Sequence, residues 1–353
     1  MEAIGALKLT PTPTFAEVDI LKSQPGWVSL ITIVVLLFLA LTAMAYMTYY
    51  ERKLIAYMQD RLGPTRTGFR GLLQPAADGV KLLFKEDIIP RGADRWVFFF
   101  APIVVFVCAL TSFMLIPLGG VWRLPFSPGW HVNLFLTDLN VGILVILALG
   151  GIGVYGIVLG GYASGNRYSL IGGLRSAAQV ISYEIILGLS LVGVMLITGT
   201  LSLNGIVGWQ HDNVWLVLLQ PVAFVLYLVA AIAETNRAPF DLPEAENELT
   251  AGFHTEYSGF RFSMFFLGEY INMLVVSGLA ATVFLGGYDF PIFPGPWWIF
   301  IKMLLFIFIY VWLRATLPRF RFDQLMGMAW KVMLPLCLLN ILVTATITLL
   351  VSR

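Results

Sequence analysis

Two cysteines and three histidines are all the soft-ligand chemistry in this 353-residue chain. Cys108 and Cys337 stand alone inside apolar runs. An iron–sulfur cluster or a zinc ion needs several thiolates or imidazoles brought together. The two thiols are therefore read as small packing residues. His131, His211 and His254 lie far apart and form no paired ligand spacing. The chain is expected to bind no redox metal of its own. Charge is scarce as well. Only 12% of residues are charged and the net charge is +1, so there is no basic excess of the kind that binds nucleic acid. The first 27 residues lack a basic start followed by a short apolar core, and they contain Glu17, Asp19 and several prolines. This excludes a cleaved secretory signal and makes the first span a retained anchor. A long linker, a low-complexity tract and an internal repeat are also missing, so residues 1–353 are read as one membrane domain.

What is present in quantity is apolar surface. Hydrophobic residues make up 58% of the chain and the mean hydropathy is +0.83, far above a water-soluble composition. Eight apolar runs reach the length of about 20 residues that crosses a bilayer: about 28–50, 96–119, 140–162, 178–199, 214–234, 265–286, 297–314 and 331–351. A closed barrel would alternate apolar and polar residues, and runs such as 31–40 do not. Lipid offers no partner for a free backbone group, so helices follow. The expected fold is an all-α polytopic membrane protein, an eight-helix bundle over 28–351 with one interfacial amphipathic helix in its first cytoplasmic loop.

Orientation comes from lysine and arginine. The connection after the first span, 51–95, carries nine, from Arg52 to Arg95. Arg167 and Arg175, Arg237 and Arg261, and Arg314, Arg319, Arg321 and Lys331 follow at every second connection, so that 17 of 22 fall on one side. The positive-inside rule makes that side cytoplasmic, or the matrix in an organelle, and puts both termini and the segment 1–27 outside.

Three features invite a chemical reading. Gly151, Gly153 and Gly156 match a dinucleotide-binding pattern, but that motif needs a strand before it and a helix after it. Here it lies inside an apolar span, where small residues let helices approach closely. In the first loop, Ala76, Val80, Leu83 and Phe84 recur at helical spacing opposite Asp78, Lys81 and Lys85. The pattern fits a short helix lying at the membrane interface, either as a plain anchor or as the wall of a lateral opening. The third feature is the loop 235–264 and its approach. Glu234, Asp241, Glu244, Glu246, Glu248 and Glu256 place over a quarter of the 21 acids in 23 residues. Asp241 and Glu244 fit a helix start that favours acids near its positive end. Glu246 and Glu248 do not, and Glu244 and Glu248 oppose each other on one helix face. Acids this close couple their titrations. Glu184, Glu234 and Glu269 lie within or at the ends of spans, where acids are costly and commonly serve ion or proton paths.

A resemblance adds to these readings. Glu51-Arg52-Lys53, Gln59-Asp60-Arg61-Leu62-Gly63-Pro64, Gln74-Pro75-Ala76-Ala77-Asp78 and Phe84-Lys85-Glu86-Asp87 stand in that order. Further on come 176–184 (Ser-Ala-Ala-Gln-Val-Ile-Ser-Tyr-Glu), 239–246 (Pro-Phe-Asp-Leu-Pro-Glu-Ala-Glu), 255–259 (Thr-Glu-Tyr-Ser-Gly) and 314–325. Together they resemble the family of the membrane-embedded H subunit of bacterial NADH-quinone oxidoreductase, or respiratory complex I, over about residues 46–335. The resemblance implies eight core helices at the base of the membrane arm and a chamber that admits quinone from the bilayer as substrate. It implies that the chain is inactive alone and holds no cofactor. NADH, flavin mononucleotide and iron–sulfur clusters would belong to partner subunits. Those partners are the hydrophilic-arm subunits of the quinone site and neighbouring small membrane subunits. It implies a quinone chamber at Glu51, Arg52, Arg61, Arg237, Asp241, Glu244, Arg314, Arg319 and Arg321. Proton coupling would fall to Glu184, Glu234, Glu244, Glu246, Glu248, Glu256 and Glu269. The location implied is the bacterial cytoplasmic membrane, or the inner mitochondrial membrane. Other readings stay open on the sequence: the equivalent subunit of a hydrogenase-, ferredoxin- or deazaflavin-linked complex, a stand-alone ion transporter, or a structural anchor. A transporter would be expected to show inverted repeats and paired broken helices, which the sequence does not display.

Overall fold

A computed structural model describes residues 26–119, 121–123, 131–133, 135–136, 138–241, 252–289, 295 and 297–351. The chain is helical along almost all of this length. The helices are α1 (Gly26–Met58), α2 (Gln74–Phe84), α3 (Arg95–Met114), α4 (Gly142–Ala163), α5 (Arg167–Thr198), α6 (Leu203–Asp212) and α7 (Leu216–Leu219). After them come α8 (Pro221–Glu234), α9 (Gly259–Phe284), α10 (Trp297–Thr316), α11 (Phe322–Met328) and α12 (Leu334–Val351). A small antiparallel pair, β1 (Val121–Arg123) with β2 (His131–Asn133), sits between α3 and α4, Trp122 facing Val132.

Among the described residues, seven helices are long and apolar enough to cross a membrane: α1, α3, α4, α5, α9, α10 and the continuous unit from Phe322 to Val351. The fifth of the eight expected spans differs. Its run of 214–234 is broken at Gln220, whose φ of −129° and ψ of 54° leave the helix. Pro221 explains the break: it has no N–H to give and its ring blocks the preceding turn. What remains, α8, has 14 residues, about 21 Å at 1.5 Å per residue. The Gln220 amide covers the break by donating to Thr344 Oγ1 at 2.8 Å and accepting from Asn340 at 2.9 Å, both on α12. A π turn at Ala329–Met333 interrupts the last span, and beside it Trp330 Nε1 donates to Ser182 Oγ of α5 at 3.2 Å.

Two long helices overrun their predicted spans, and this decides where the acids sit. α1 has 33 residues, roughly 50 Å, against a hydrocarbon core of about 30 Å. Its last turns carry Glu51 to Lys53. α5 begins at Arg167, not near 178, because the Asn166 side chain caps it by accepting from Tyr168 N at 3.0 Å. Its other end closes on Gly199 at φ 66°, whose N–H bonds the Met195 carbonyl, the left-handed stop that glycine permits. Glu184 therefore lies near the middle of α5 and not a turn or two from its start.

Glycines set the helix spacing. A Cβ at Gly156 of α4 would come within 2.5 Å of Val105 and 2.8 Å of the Ala101 carbonyl on α3. A Cβ at Gly161 would come within 2.7 Å of the Ser169 carbonyl on α5. The glycines of the dinucleotide-like pattern thus lie in a helix interior, with Gly156 at a helix crossing. In the first loop, α2 is tied back to α1: Arg52 meets Asp78 at 2.6 Å, and Tyr49 donates to the Arg70 carbonyl at 2.8 Å. None of the α2 residues is buried, and Val80, Leu83 and Phe84 present an apolar face that this chain leaves uncovered.

Candidate functional site

Four segments meet in one part of the bundle. The last turns of α1, the chain just after α8, the third turn of α9 and the last turn of α10 deliver Glu51, Arg237, Glu269 and Arg314 to one network. Glu51 is only 3% exposed. Its Oε1 accepts from Arg314 and, at 3.3 Å, from Arg237. Its Oε2 accepts from the Tyr270 hydroxyl at 2.7 Å. Arg237 Nε stands 2.6 Å from Glu269 Oε1, and the guanidinium lies 4.3 Å from the centre of the Tyr270 ring. Two carboxylates thus face two guanidiniums. Burial works against the charge on Arg237, but Glu269, Tyr270 and Glu51 outweigh it and hold the group charged. A buried charge is tolerable only when paired in this way.

The local chain explains how Arg237 is presented. Gln179 of α5 donates to the carbonyls of Ala233 and Phe240, both at 2.8 Å, satisfying acceptors that a helix end leaves free. Phe240 stacks on Phe320 at 5.5 Å, and Phe320 N bonds the Pro239 carbonyl. The same turn brings Asp241 to Arg319 at 3.0 Å.

A second group of acids lies deeper. The Glu234 and Glu184 carboxylates both approach Gly150 on α4: a Cβ there would stand 3.5 Å from Glu234 Oε1 and 3.9 Å from Glu184 Oε1. A Cβ on Gly151 would stand 3.1 Å from Glu184. A glycine at these positions leaves room for the acids. Among the described residues no cation pairs with Glu234, and its Oε2 has no hydrogen-bond partner. Between the two groups lies a cavity of about 50 Å³, walled by Glu269, Asn272, His254, Asn236, Thr235 and Glu234 with apolar residues from α3, α4 and α5. A smaller one of about 20 Å³ continues past Glu234 and Asn272 to Ser112. A water needs roughly 10–15 Å³ and a few polar partners, and both cavities meet that.

The expected site residues thus divide. Glu51, Arg237, Arg314 and Glu269 converge, Asp241 and Arg319 pair beside them, and Glu184 and Glu234 meet at Gly150. Arg52 instead holds Asp78, Arg61 is exposed, and Arg321 is exposed with Asp323 at 3.7 Å. Glu256 accepts from Asn166 at 2.8 Å, at the start of α5. Glu244, Glu246 and Glu248 lie outside the described residues, so the helix start expected at Asp241–Glu244 does too. Tyr270, Gln179, His254 and Asn272 join the site although the sequence does not single them out for it. Gln179 carries a signal, as an amide inside an otherwise apolar run.

Comparison with known proteins bears on the whole chain. The family model described as NADH dehydrogenase matches residues 31–345. The H subunit of the NADH-quinone oxidoreductase of Thermomicrobium roseum is 60% identical over 324 residues, covering 89% of this chain and 94% of that protein. The corresponding H subunit from Protochlamydia amoebophila is 53% identical over 312 residues, covering 87% and 94%. The NADH-quinone oxidoreductase H subunit numbered 2 of Geobacter sulfurreducens is 52% identical over 312 residues, covering 88% and 94%. The same helices that assemble the buried ion network lie within the matched residues, and on this similarity the chain belongs to the NADH dehydrogenase family.

Proposed function

We propose that this chain is the membrane subunit of a proton-translocating NADH:quinone oxidoreductase, and that it forms the quinone access chamber and starts the proton path. Quinone is the substrate. NADH, flavin mononucleotide and iron–sulfur clusters are assigned to partner subunits of the hydrophilic arm, with small membrane subunits as further neighbours. The names of the relatives support NADH and quinone as the two substrates of the assembly. The single observation that carries the reading is the continuity from a buried, charge-balanced network at Glu51 and Arg237 through Glu269 and a polar cavity to Glu234 and Glu184.

Reduction of a quinone takes up two electrons and two protons. Charge arriving beside Arg237 and Arg314 alters the balance that fixes Glu51 and Glu269. Glu269 faces the cavity, so a change in its protonation is passed inward to Glu234 and Glu184, two like-charged groups that titrate as a coupled unit. Arg319 with Asp241 extends the same end, and Glu244, Glu246, Glu248 and Glu256, which follow in the sequence, are assigned to the same proton coupling. Arg52, Arg61 and Arg321 are assigned to its outer, wetter rim. The uncovered apolar face of α2 suits the mouth through which an isoprenoid tail enters from lipid.

The arginine-rich end faces the cytoplasm in this reading, with both termini outside and the chain in the bacterial cytoplasmic membrane, or the inner mitochondrial membrane if organellar. One experiment addresses chamber and sidedness together. A photoreactive quinone is flashed into the assembled complex in sealed vesicles, with single added cysteines in this chain. The expected outcome is crosslinking within the first or last cytoplasmic segments (51–95 or 315–330), competed away by excess quinone, and a cysteine at position 61 labelled from the opposite side to one at the C-terminus. Crosslinks that ignore competition, or labelling of both cysteines from one side, would contradict the proposal.

A further inference from the structure

We propose that His254 is a proton carrier in the cavity that separates Glu269 from Glu234. The inference rests on the proton path proposed above and adds a residue to it. His254 ends the short turn Gly252–His254 and is 7% exposed. The turn is fixed from both sides. Ser169 Oγ donates to the Phe253 carbonyl at 3.1 Å, and Tyr257 N donates to the His254 carbonyl at 2.9 Å. Gly172 of α5 packs so closely that a Cβ there would come within 2.7 Å of Gly252 Cα. The imidazole is thereby held in the cavity wall, with the Phe253, Phe262 and Phe265 rings around it at 3.8, 5.8 and 6.2 Å between centres.

Much of the cavity wall is inert. Val105 from α3, Gly150, Gly153, Val154 and Ile157 from α4, and Val180 from α5 bring no titratable group. α8 brings Glu234 and α9 brings Glu269. Glu184 of α5 reaches the same stretch of α4 at Gly150 and Gly151. Among the described residues the titratable wall is therefore two carboxyls and one imidazole. A carboxyl can hand on a proton only after turning or through water, whereas an imidazole accepts at one nitrogen and releases from the other. The step balances simply. The Glu269 O–H bond breaks and an N–H bond forms on His254. The N–H bond on the other ring nitrogen then breaks and an O–H bond forms on Glu234. Exchange of tautomer through cavity water restores the ring, and one proton has moved with no change in oxidation state.

The test uses the assembled complex in proteoliposomes with His254→Gln and His254→Asn, beside Glu234→Gln and Glu269→Gln. Measured together are assembly on native gels, KM for quinone, turnover, and protons moved per electron. A carrier role requires that both histidine variants assemble and keep the KM, while turnover falls at least ~10-fold and pumping falls with it. Normal turnover and proton ratio in both histidine variants, with the two glutamate variants impaired, overturns the carrier but leaves the path standing. Normal pumping in all four overturns the path as well. Failure of both histidine variants to assemble makes His254 a packing residue and also overturns the inference.

Discussion

Two groups of acids inside the helix bundle of this molecule are built on opposite plans. Glu51 and Glu269 sit among Arg237, Arg314 and Tyr270, where every approach to Glu51 Oε1 comes from a guanidinium. Glu234 and Glu184 sit against glycine backbone and small cavities, with no cation paired to Glu234 among the described residues. At Glu51 the first plan fixes charge, because a carboxylate bonded to two guanidiniums has its charge specified by its neighbours. The second leaves the charge to be set by proton exchange, because among the described residues no cation pairs with Glu234. The contrast separates a charge-balanced centre at Glu51 from the pair Glu184 and Glu234, and Glu269, which meets Arg237 and also lines the cavity, stands between the two.

The largest expected effect comes from breaking the first plan. Glu51→Gln leaves Arg237 and Arg314 short of a buried counter-charge, a loss of roughly 3–5 kcal/mol when one member of a buried pair is removed. The expected readout is little assembled complex on native gels and a much lower melting temperature for what does assemble. Unchanged melting would mean that the arginines are neutralised by other groups and that the network is not structural.

The smallest effect is expected at an exposed ion pair, which isolates burial as the cause. His211, at the end of α6, lies 2.5 Å from Asp289 and is largely exposed. The hydrogen bond and charge of Asp289 raise its pKa above the usual histidine value. A raised folded-state pKa gives stability that is fully present below the unfolded value near 6.5 and is lost as pH rises through the folded value. Solvent screening keeps such a pair below about 1 kcal/mol. His211→Gln is therefore expected to shift the melting temperature slightly at pH 6 and not at all at pH 9. An equal shift at both values would show that the imidazole acts by packing and not by charge.

Much of this is legible in the sequence, for identifiable reasons. Long apolar runs dictate membrane helices because lipid leaves no alternative for the backbone, while the grouping of Glu51, Arg237 and Arg314 comes from the family resemblance, and these three do lie together. Periodicity does not show the break at Gln220, because Pro221 inside an apolar run reads as tolerated until the shorter helix is seen. Nor does it show that α5 starts at Arg167, since its first turns mix polar residues and glycines with apolar ones and look like loop. The depth of Glu184 is underestimated for that reason. The resemblance groups Arg52, Arg61 and Arg321 with Arg237, and neither it nor charge reports burial, which only Arg237 among these has. His254 reads there only as an isolated imidazole without a metal-ligand partner. Its neighbours, Glu234 and Glu269, are distant in sequence and are joined to it only by the packing of α8 and α9.

The measurement that bears most directly on the two plans is proton pumping by Glu234→Gln in the assembled complex. Replacing an acid with no ion-pair partner among the described residues removes no salt bridge seen there, so assembly and melting should stay within about 1 kcal/mol of the parent. Proteoliposomes energised with NADH and quinone should then show turnover and proton uptake falling together by at least ~10-fold. Full proton uptake at normal turnover in that stable variant would contradict the account, because the group singled out as free to exchange protons would then carry none.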